Sequence, residues 1–273
     1  MRSAVRPRIG VTSRFRQAIR SHSIHEGYVE QVVRAGGLPL VIPCTEADAE
    51  ADGDLCASYL AVLDGLLLTG GEDMDPAHCR GTVRQPGYTY HPRRDAFETR
   101  LAAAALEARM PTLGICRGAQ VLHTVTGNPL IGHIPDVNGG RVAHRTSLTE
   151  TSRHSVTLAE GSKVARAYGD RAYGGSYEEG AGERTLKVTS YHHQGLGEQT
   201  PGGIRWRVTA RADDSLAEAI EREADTEGDT RGDAWAVGVL WHPELPADDG
   251  PADGTGERTD PLIAAFVAAA GAS

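Results

Sequence analysis

Short apolar runs alternate with helical patterns through the first half of the chain, and this alternation constrains the fold more than any other feature. Four runs predict strands, at 8–12, 38–43, 64–69 and 111–115. Three segments predict helices, at 24–35, 95–109 and 117–125. The run at 64–69 contains three consecutive leucines, which is typical of a strand buried on both faces. The alternation predicts an α/β fold with a doubly wound, mostly parallel sheet flanked by helices.

The second half of the chain has a different pattern, with successive strands and few helices between them. Strands are predicted at 155–158, 186–190, 204–210, 216–221 and 235–240, and a last helix at 262–270. These strands predict antiparallel additions to the main sheet. Segments 169–183 and 247–258 are rich in Gly, Glu, Asp or Pro and predict surface loops or mobile lids. Because no repeat or linker interrupts the pattern, residues 1–273 are predicted to form a single domain.

Composition narrows the class of protein. The 273 residues carry 28 basic and 37 acidic side chains, a net charge of −9, which disfavours a nucleic-acid partner. The N-terminal residues lack the apolar stretch of a signal peptide, and no apolar run is long enough to span a membrane. Four cysteines are too few for a disulfide framework. We therefore expect a cytoplasmic protein with reduced thiols and no membrane partner.

The segment Gly114-Ile115-Cys116-Arg117-Gly118 places a cysteine between a predicted strand and a predicted helix. A sharp strand-to-helix turn needs small neighbours, because it holds the nucleophile in a strained conformation. The helix N-terminus would lower the pKa of the thiol, and the backbone N–H of Arg117 would face a developing oxyanion. A buried cysteine behind a glycine-rich turn is the alternative. The flanking strand and helix favour Cys116 as a nucleophile.

A base for that nucleophile is predicted at the end of the strand at 235–240, in Trp241-His242-Pro243-Glu244. In extended backbone, residues two apart face the same way. Glu244 can therefore bond one imidazole nitrogen of His242 while the other nitrogen faces Cys116. The alternative is an exposed loop with an ordinary ion pair.

Gly70 and Gly71 follow the buried strand at 64–69 and let the backbone approach a ligand closely. The N–H of Gly71 is the predicted second oxyanion donor. The acidic residues that follow, Glu72, Asp73 and Asp75, lack the spacing of a calcium loop. We expect them to serve in turns and helix caps.

The remaining candidates have simpler interpretations, and no metal or cofactor is predicted. Cys44, Cys56 and Cys79 have no partner motif and are expected to be structural or partly exposed thiols, so zinc is not expected. Asp95 and Glu98 lie near His91 and resemble metal ligands. Asp95 with a Glu three residues later also resembles a capping box, which predicts a helix start at Asp95.

Together, the cysteine turn, the His-Pro-Glu segment and the glycine pair resemble the class I glutamine amidotransferase superfamily. The closest similarity is to the γ-glutamyl-γ-aminobutyrate hydrolase family, which is related to folate γ-glutamyl hydrolases. The resemblance covers nearly the whole chain, through segments 28–39, 63–71, 94–98, 113–120, 190–194 and 238–244. The His-His-Gln at 192–194 and the Arg-Asp-x-x-Glu at 94–98 distinguish this branch from ordinary glutaminase subunits. The implied fold is a flavodoxin-like glutamine amidotransferase domain.

The resemblance implies roles for individual residues. Cys116 is the implied nucleophile, His242 the general base and Glu244 its orienting partner, with the oxyanion hole at Gly71 and Arg117. The implied substrate-binding residues are Gly70, Gln120, His192, His193, Gln194 and Gly195. The implied reaction is hydrolysis of a γ-glutamyl amide through a cysteinyl thioester, releasing glutamate and an amine. The implied partner is a small γ-glutamyl substrate, and a homodimer is left open.

The chain departs from the family pattern just after the cysteine turn. His123 stands where the family has Asn, Asn128 replaces the second Gly of a pair, and Gly132-His133 replaces Gln-Asp. The catalytic residues are unchanged, so the departures bear on the leaving amine. Two alternatives stay open behind the stand-alone hydrolase. They are a glutaminase subunit that supplies ammonia to a synthase and, ranked last, a catalytically silent protein that binds glutamyl compounds.

Overall fold

A computed structural model describes residues 5–44, 55–147, 150–169, 184–201, 204–223, 234–245 and 259–272. The strands are β1 (Arg8–Thr12), β2 (Arg14–Arg16), β3 (Ser21–Ser23), β4 (Leu38–Ile42), β5 (Gly65–Leu68), β6 (Thr112–Ile115), β7 (Leu130–Ile131), β8 (Ser152–Leu158), β9 (Arg184–Ser190), β10 (Gly195–Leu196), β11 (Trp206–Ala212), β12 (Ala217–Arg222) and β13 (Ala236–Val239). The helices are α1 (Glu26–Arg34), α2 (Leu55–Leu60), α3 (Pro92–Glu107), α4 (Arg117–Val125), α5 (Ile134–Asn138), α6 (Lys163–Tyr168) and α7 (Pro261–Ala270).

Nine strands form the main sheet, in the order β4-β1-β5-β6-β13-β12-β11-β8-β9. The first five of these are parallel to one another. Taken in chain order, they stand in the sequence 2-1-3-4-5, which is the flavodoxin-like arrangement. Ligands of such sheets bind at the carboxyl ends of the strands. The carboxyl ends of β5, β6 and β13 are adjacent, and each leads directly into one predicted part of the site.

The other four strands extend the sheet in antiparallel pairs, as the second half of the sequence predicted. The segment at 235–240 was grouped with these additions, and that detail was wrong. Its strand β13 pairs parallel with β6 and antiparallel with β12, so it lies where the two parts of the sheet meet. The position places the residues after β13 beside those after β6.

Helices cover both faces of the parallel strands, and alternate residues of each strand serve the two faces. Leu67 packs in one core cluster with residues of α1 and α7, such as Val32 and Phe266. Its neighbours Leu66 and Leu68 pack in a second cluster with residues of α3 and α4. Burial of both faces explains the unbroken leucine run. The doubly wound α/β fold is thereby confirmed.

Several boundaries differ from the sequence predictions. Helix α3 begins at Pro92 rather than at Asp95, and its N-cap residue is His91. Proline suits the first helical turn, because the backbone N–H it lacks would have no acceptor there. The sequence analysis did not predict the β2–β3 hairpin, the β7–β10 ribbon or the short helices α2, α5 and α6. These elements are too short to give a periodic pattern.

The two predicted surface loops fall almost wholly outside the described residues: of 169–183 only Gly169 is described, and of 247–258 none. Within the described part of the chain, no helix has the length and apolar character needed to cross a membrane.

His123 provides a pH-dependent test of the core. Burial lowers the pKa of His123 to about 4, and its Nε2 donates to the carbonyl of Gly197 at 3.1 Å. Between pH 6.5 and 4 the unfolded chain binds a proton here that the folded chain does not. The free energy of unfolding therefore falls as the pH falls through this window, by up to about 3 kcal/mol from this residue.

His123→Asn should flatten that dependence, as measured by urea unfolding at a series of pH values from 7 to 4.5. His78→Asn, at a half-buried histidine outside the core, should retain the slope of the unsubstituted protein. Equal slopes in His123→Asn and the unsubstituted protein would contradict the assignment.

Candidate active site

The predicted site forms at the carboxyl ends of three adjacent strands. Gly70 and Gly71 follow β5, Cys116 follows β6, and His242 follows β13. A cavity of about 580 Å³ opens over these ends, and Gly70, Gly71, Cys116, His242 and Glu244 all line it. The sheet therefore brings together residues from three distant parts of the sequence.

Cys116 occupies a strained turn, as the motif predicted. Its backbone angles are φ 52° and ψ −107°, a combination rare for a residue with a side chain. A β-carbon at Gly114 would lie 2.6 Å from the backbone of Gly118, and one at Gly118 would collide with the carbonyl of Leu68. Both glycines are therefore required by close backbone packing. Arg117 is the first residue of α4, where backbone N–H groups have no intrahelical acceptor.

His242 is oriented by Glu244, whose Oε1 lies 2.7 Å from Nδ1 of the imidazole. Burial opposes a charge on His242. The nearby Glu244 and Cys116 outweigh that effect and raise the pKa of His242 well above its ordinary value. The backbone N–H of His242 donates to the carbonyl of Thr189 at 2.9 Å, which fixes the segment after β13. The arrangement suits an imidazole that accepts a proton from a thiol and later returns it.

Gly70 lies between the nucleophile and the base. A β-carbon there would lie 3.2 Å from Cε1 of His242 and 3.6 Å from Cβ of Cys116. The backbone N–H of Gly70 donates to Oη of Tyr28 at 3.0 Å. Burial, together with the negative charge of Glu244, raises the pKa of Tyr28 well above its ordinary value. Tyr28 therefore stays protonated, and it is a site residue that the sequence analysis did not identify.

Arg94 binds the turn formed by Thr69, Gly70 and Gly71, which we name the glycine turn. Its guanidinium donates to the carbonyl of Gly70 at 3.1 Å and to Oγ1 of Thr69 at 2.9 Å. Gly71 has a φ of 156°, and a β-carbon there would collide with Nη1 of Arg94. The orientation of the turn is thus fixed by a buried cation that binds its carbonyls.

Arg94 belongs to a buried network of ion pairs with Asp95, Glu98 and Arg117. Nε of Arg94 donates to Glu98 at 2.7 Å, and Arg117 pairs with both Asp95 and Glu98. Burial would raise the pKa of Glu98, but Arg117 and Arg94 outweigh it and lower that pKa. The predicted helix cap at Asp95 is therefore wrong. Asp95 lies inside α3, fully buried, and accepts from the backbone N–H of Asp75 at 3.0 Å.

Four of the predicted substrate-binding side chains line the same cavity as Gly70: Gln120, His192, His193 and Gln194. Nε2 of Gln120 donates to the carbonyl of Gln194 at 3.3 Å. His193 stacks on Tyr88 with 4.0 Å between ring centroids. Gly195 is not among the described residues that line the cavity, since it pairs with Ile131 in the β7–β10 ribbon.

The acidic residues after the glycine pair take separate partners. Glu72 pairs with Arg14 and lies 3.7 Å from Arg94, and these cations outweigh burial and lower the pKa of Glu72 to about 2. Asp73 accepts from Nε2 of His193 at 2.7 Å. Asp75 accepts from the N–H of Ala77 at 3.0 Å in a turn, as expected. Glu72 and Asp73 line the cavity, whereas the sequence analysis expected only turn and cap roles.

The departures from the family pattern mostly lie away from the cavity. His123 is buried against Gly197, and Asn128 accepts from the N–H of Thr200 at 2.9 Å. His133 is the exception, because its Nδ1 lies 3.0 Å from Nδ1 of His193, which lines the cavity. The departure that reaches the site is therefore at His133.

All four cysteines are free and buried, so of the two expectations for Cys44, Cys56 and Cys79, structural or partly exposed thiols, burial agrees with the first. Only Cys116 lines the cavity among the described cysteines. The side chain of His91 lies 3.8 Å from Glu72. Among the described residues, a group with metal-ligating geometry does occur elsewhere, at His144, His154 and Glu218, which sequence spacing did not indicate.

A model of the peptidase C26 family matches residues 7–244. The Mycobacterium tuberculosis protein named "Putative glutamine amidotransferase Rv2859c" is 34% identical over 254 residues, which are 90% of this chain and 72% of that protein. The γ-glutamyl-γ-aminobutyrate hydrolase of Escherichia coli O157:H7 is 30% identical over 247 residues, which are 87% of this chain and 85% of that protein.

Solved structures agree on the fold. The crystal structure of a glutamine amidotransferase from Thermotoga maritima superposes with a TM-score of 0.52 at 16% identity, covering 90% of this chain and 79% of that one. At this identity the similarity concerns the fold alone. The mostly parallel α/β sheet is therefore shared with that structure.

Gly70→Ala should abolish most activity, because the added methyl group would sit between Cys116 and His242. We expect kcat/KM to fall by about 100-fold or more, since displacements near 1 Å have that effect. Gly271→Ala is the matched control, because Gly271 is exposed at the end of α7 and a β-carbon there meets only Pro7 and helix backbone. Normal turnover in Gly70→Ala would contradict this geometry.

Tyr28→Phe should weaken the glycine turn, because the N–H of Gly70 would lose its acceptor. The free energy of unfolding should fall by about 1–3 kcal/mol, and kcat should fall with it. Tyr90→Phe provides a matched control. Oη of Tyr90 also accepts from a backbone N–H, that of Gln85 at 2.7 Å, but Tyr90 is not among the described cavity residues. If both variants lose activity equally, Tyr28 has no special place in the site.

Proposed function

The chain belongs to the peptidase C26 family, and on that premise we propose that it hydrolyses a γ-glutamyl amide through a thioester on Cys116. The observation that carries the proposal is the arrangement around Gly70. A strained cysteine and an imidazole oriented by Glu244 at 2.7 Å approach the same glycine from two sides. A nucleophile, a base and an orienting carboxylate in this relation are the requirements of acyl transfer.

In the proposed first step, the sulfur of Cys116 attacks the γ-carbonyl carbon and the thiol proton passes to Nε2 of His242. The oxyanion is held by the N–H groups of Gly71 and Arg117. Collapse of the tetrahedral intermediate breaks the C–N bond, and the imidazolium gives its proton to the leaving amine. The raised pKa of His242 favours the first proton transfer, from the thiol to the imidazole.

In the second step, a water molecule replaces the amine. His242 removes a proton from the water, and the resulting hydroxide attacks the thioester carbonyl. The C–S bond breaks, glutamate leaves, and the sulfur recovers its proton from His242. Glu244 keeps Nδ1–H of the imidazole fixed through both steps, so that one tautomer serves as base and then as acid.

The charges of the cavity support an amino-acid substrate. Arg145 lines the cavity and forms no ion pair with a described carboxylate, while Nη2 donates to Oη of Tyr88 at 2.6 Å. It offers a positive charge to the α-carboxylate of a glutamyl group. Asp73 and Glu72 line the same cavity and offer negative charge to its α-ammonium. The named activity of the Escherichia coli relative supports a γ-glutamyl amine as the substrate class.

The test is turnover of the purified chain alone on a panel of γ-glutamyl amines, with glutamine included. We expect glutamate release without any partner protein and a covalent glutamyl adduct on Cys116 by mass spectrometry. Cys116→Ser should lose the adduct and nearly all turnover. Cys79→Ser is the matched control, because its buried sulfur already lies 3.2 Å from Oγ1 of Thr82 and a hydroxyl fits there.

Other outcomes would replace the proposal. Turnover of glutamine alone, and only with a synthase present, would identify a glutaminase subunit. Binding of γ-glutamyl amines with neither turnover nor adduct would identify a silent binding protein. Full activity in Cys116→Ser would remove Cys116 as the nucleophile.

A further inference from the structure

A second group of buried polar side chains lies behind the cavity wall. It consists of His144, His154, His192 and Glu218, which we name the histidine–glutamate cluster, and all four are buried. His154 lies on β8, Glu218 on β12, and His192 just after β9. The proposed hydrolysis requires neither His144, His154 nor Glu218, and their burial requires a separate explanation.

Three imidazole nitrogens converge on one carboxylate oxygen. Nδ1 of His144, Nε2 of His192 and Nε2 of His154 lie 2.8, 3.3 and 3.6 Å from Oε1 of Glu218. None of these contacts has hydrogen-bond geometry within the described residues, and Oε2 of Glu218 also has no partner there. A buried carboxylate among imidazoles that do not hydrogen-bond to it is costly unless something else satisfies these atoms.

These separations are those of ligands around one metal ion. Zinc binds imidazole nitrogen and carboxylate oxygen at about 2.0–2.2 Å. Two ligands at tetrahedral angles around it are then about 3.3 Å apart. The three contacts to Glu218 span that value. The ligand atoms of His144, His154 and Glu218 also lie within 4.8 Å of one another.

In His144 and His192, the ring nitrogen that faces away from Glu218 lies close to an oxygen atom. Histidines that bind a metal usually have such a partner. Nε2 of His144 lies 2.8 Å from Oδ2 of Asp214, and that oxygen also accepts from Nδ2 of Asn138 at 2.8 Å. Nδ1 of His192 lies 3.0 Å from the carbonyl of Gln194. A carboxylate or carbonyl behind the ring fixes the tautomer and turns the inner nitrogen toward the metal.

We propose that the histidine–glutamate cluster binds a divalent transition-metal ion, Zn²⁺, with His144, His154 and Glu218 as its ligands. Two imidazoles and one carboxylate supply three of the four positions of a tetrahedral shell. The ion joins β8, β12 and the loop that holds His144, and its carboxylate ligand Glu218 also faces His192, which begins the segment at 192–194. That segment forms part of the cavity wall, and the N–H of Leu240, just before the His242 turn, donates to the carbonyl of Glu218 at 2.8 Å.

The test is metal content and thermal unfolding of the untagged full chain, first stripped with a chelator and then exposed to Zn²⁺ and dialysed. We expect one zinc ion per chain and a higher unfolding temperature with zinc. His154→Asn and Glu218→Gln should lose the bound ion and the temperature shift. His78→Asn, at a histidine outside the cluster, should keep both.

Cys116 and His242 also could hold zinc, so Cys116→Ser is measured in parallel. Retention of one zinc ion in Cys116→Ser supports the cluster, and loss of it there would overturn the proposal. Replacement of zinc by Co²⁺ in the unsubstituted chain provides an independent test of which residues bind the metal, and this test requires no variant. Tetrahedral absorption without a thiolate-to-cobalt band is expected, and a thiolate band would place the metal at Cys116 instead.

Asp214→Asn tests the outer shell. Loss of an outer-shell carboxylate typically weakens metal binding by about 10–100-fold, and we expect a zinc Kd raised by that factor with stoichiometry unchanged. An unchanged Kd would remove Asp214 from the site. If the stripped chain takes up no zinc at all and unfolds at the same temperature with and without it, the cluster is a metal-free ion network and the proposal fails. Neither result depends on whether γ-glutamyl amides are hydrolysed.

Discussion

The guanidinium of Arg94 connects the fold to the candidate site. It binds the carbonyls at the end of β5 and, through Glu98, the side chain of Arg117 at the start of α4. Removing one member of such a buried network costs about 3–5 kcal/mol, because another charge is left unpaired in the interior. The network therefore holds the two predicted oxyanion donors in one fixed relation, which hydrophobic packing alone does not do.

Glycines complete that arrangement by permitting close approach. The carbonyl of Leu68 occupies the space where Gly118 would carry a β-carbon, so β5 and α4 lie closer than side chains allow. Gly71 similarly leaves room for Arg94. The charge network and the backbone contacts act on the same two segments. A site built in this way is preorganised, because neither the cysteine turn nor the glycine turn can shift without breaking buried contacts.

The features that could be predicted from the sequence are those that local patterns of residues encode. The alternation of runs indicated the parallel sheet, and the small neighbours of Cys116 indicated the strained turn. Roles that arise between distant segments left no such signal. Tyr28 meets Gly70 only through the packing of α1 on the sheet. The apparent capping box at Asp95 predicts too late a start for α3, whereas Pro92, a residue that favours the first helical turn, marks the start in the structure. A charged Arg-Asp-x-x-Glu run inside a buried helix was the available sign that Asp95 and Glu98 pair internally.

The same lack of a local sequence signal explains why no metal site was predicted. Metal-site patterns in sequences rely on closely spaced ligands, whereas His144, His154 and Glu218 come from a loop and two strands. His192 belongs both to the candidate active site and to the histidine–glutamate cluster, because it lines the cavity and faces Glu218. Its two nitrogens are committed to Gln194 and to the cluster, so its side chain is held rather than free to exchange protons. His192 therefore acts on the cavity by positioning the Gln194 carbonyl that Gln120 binds.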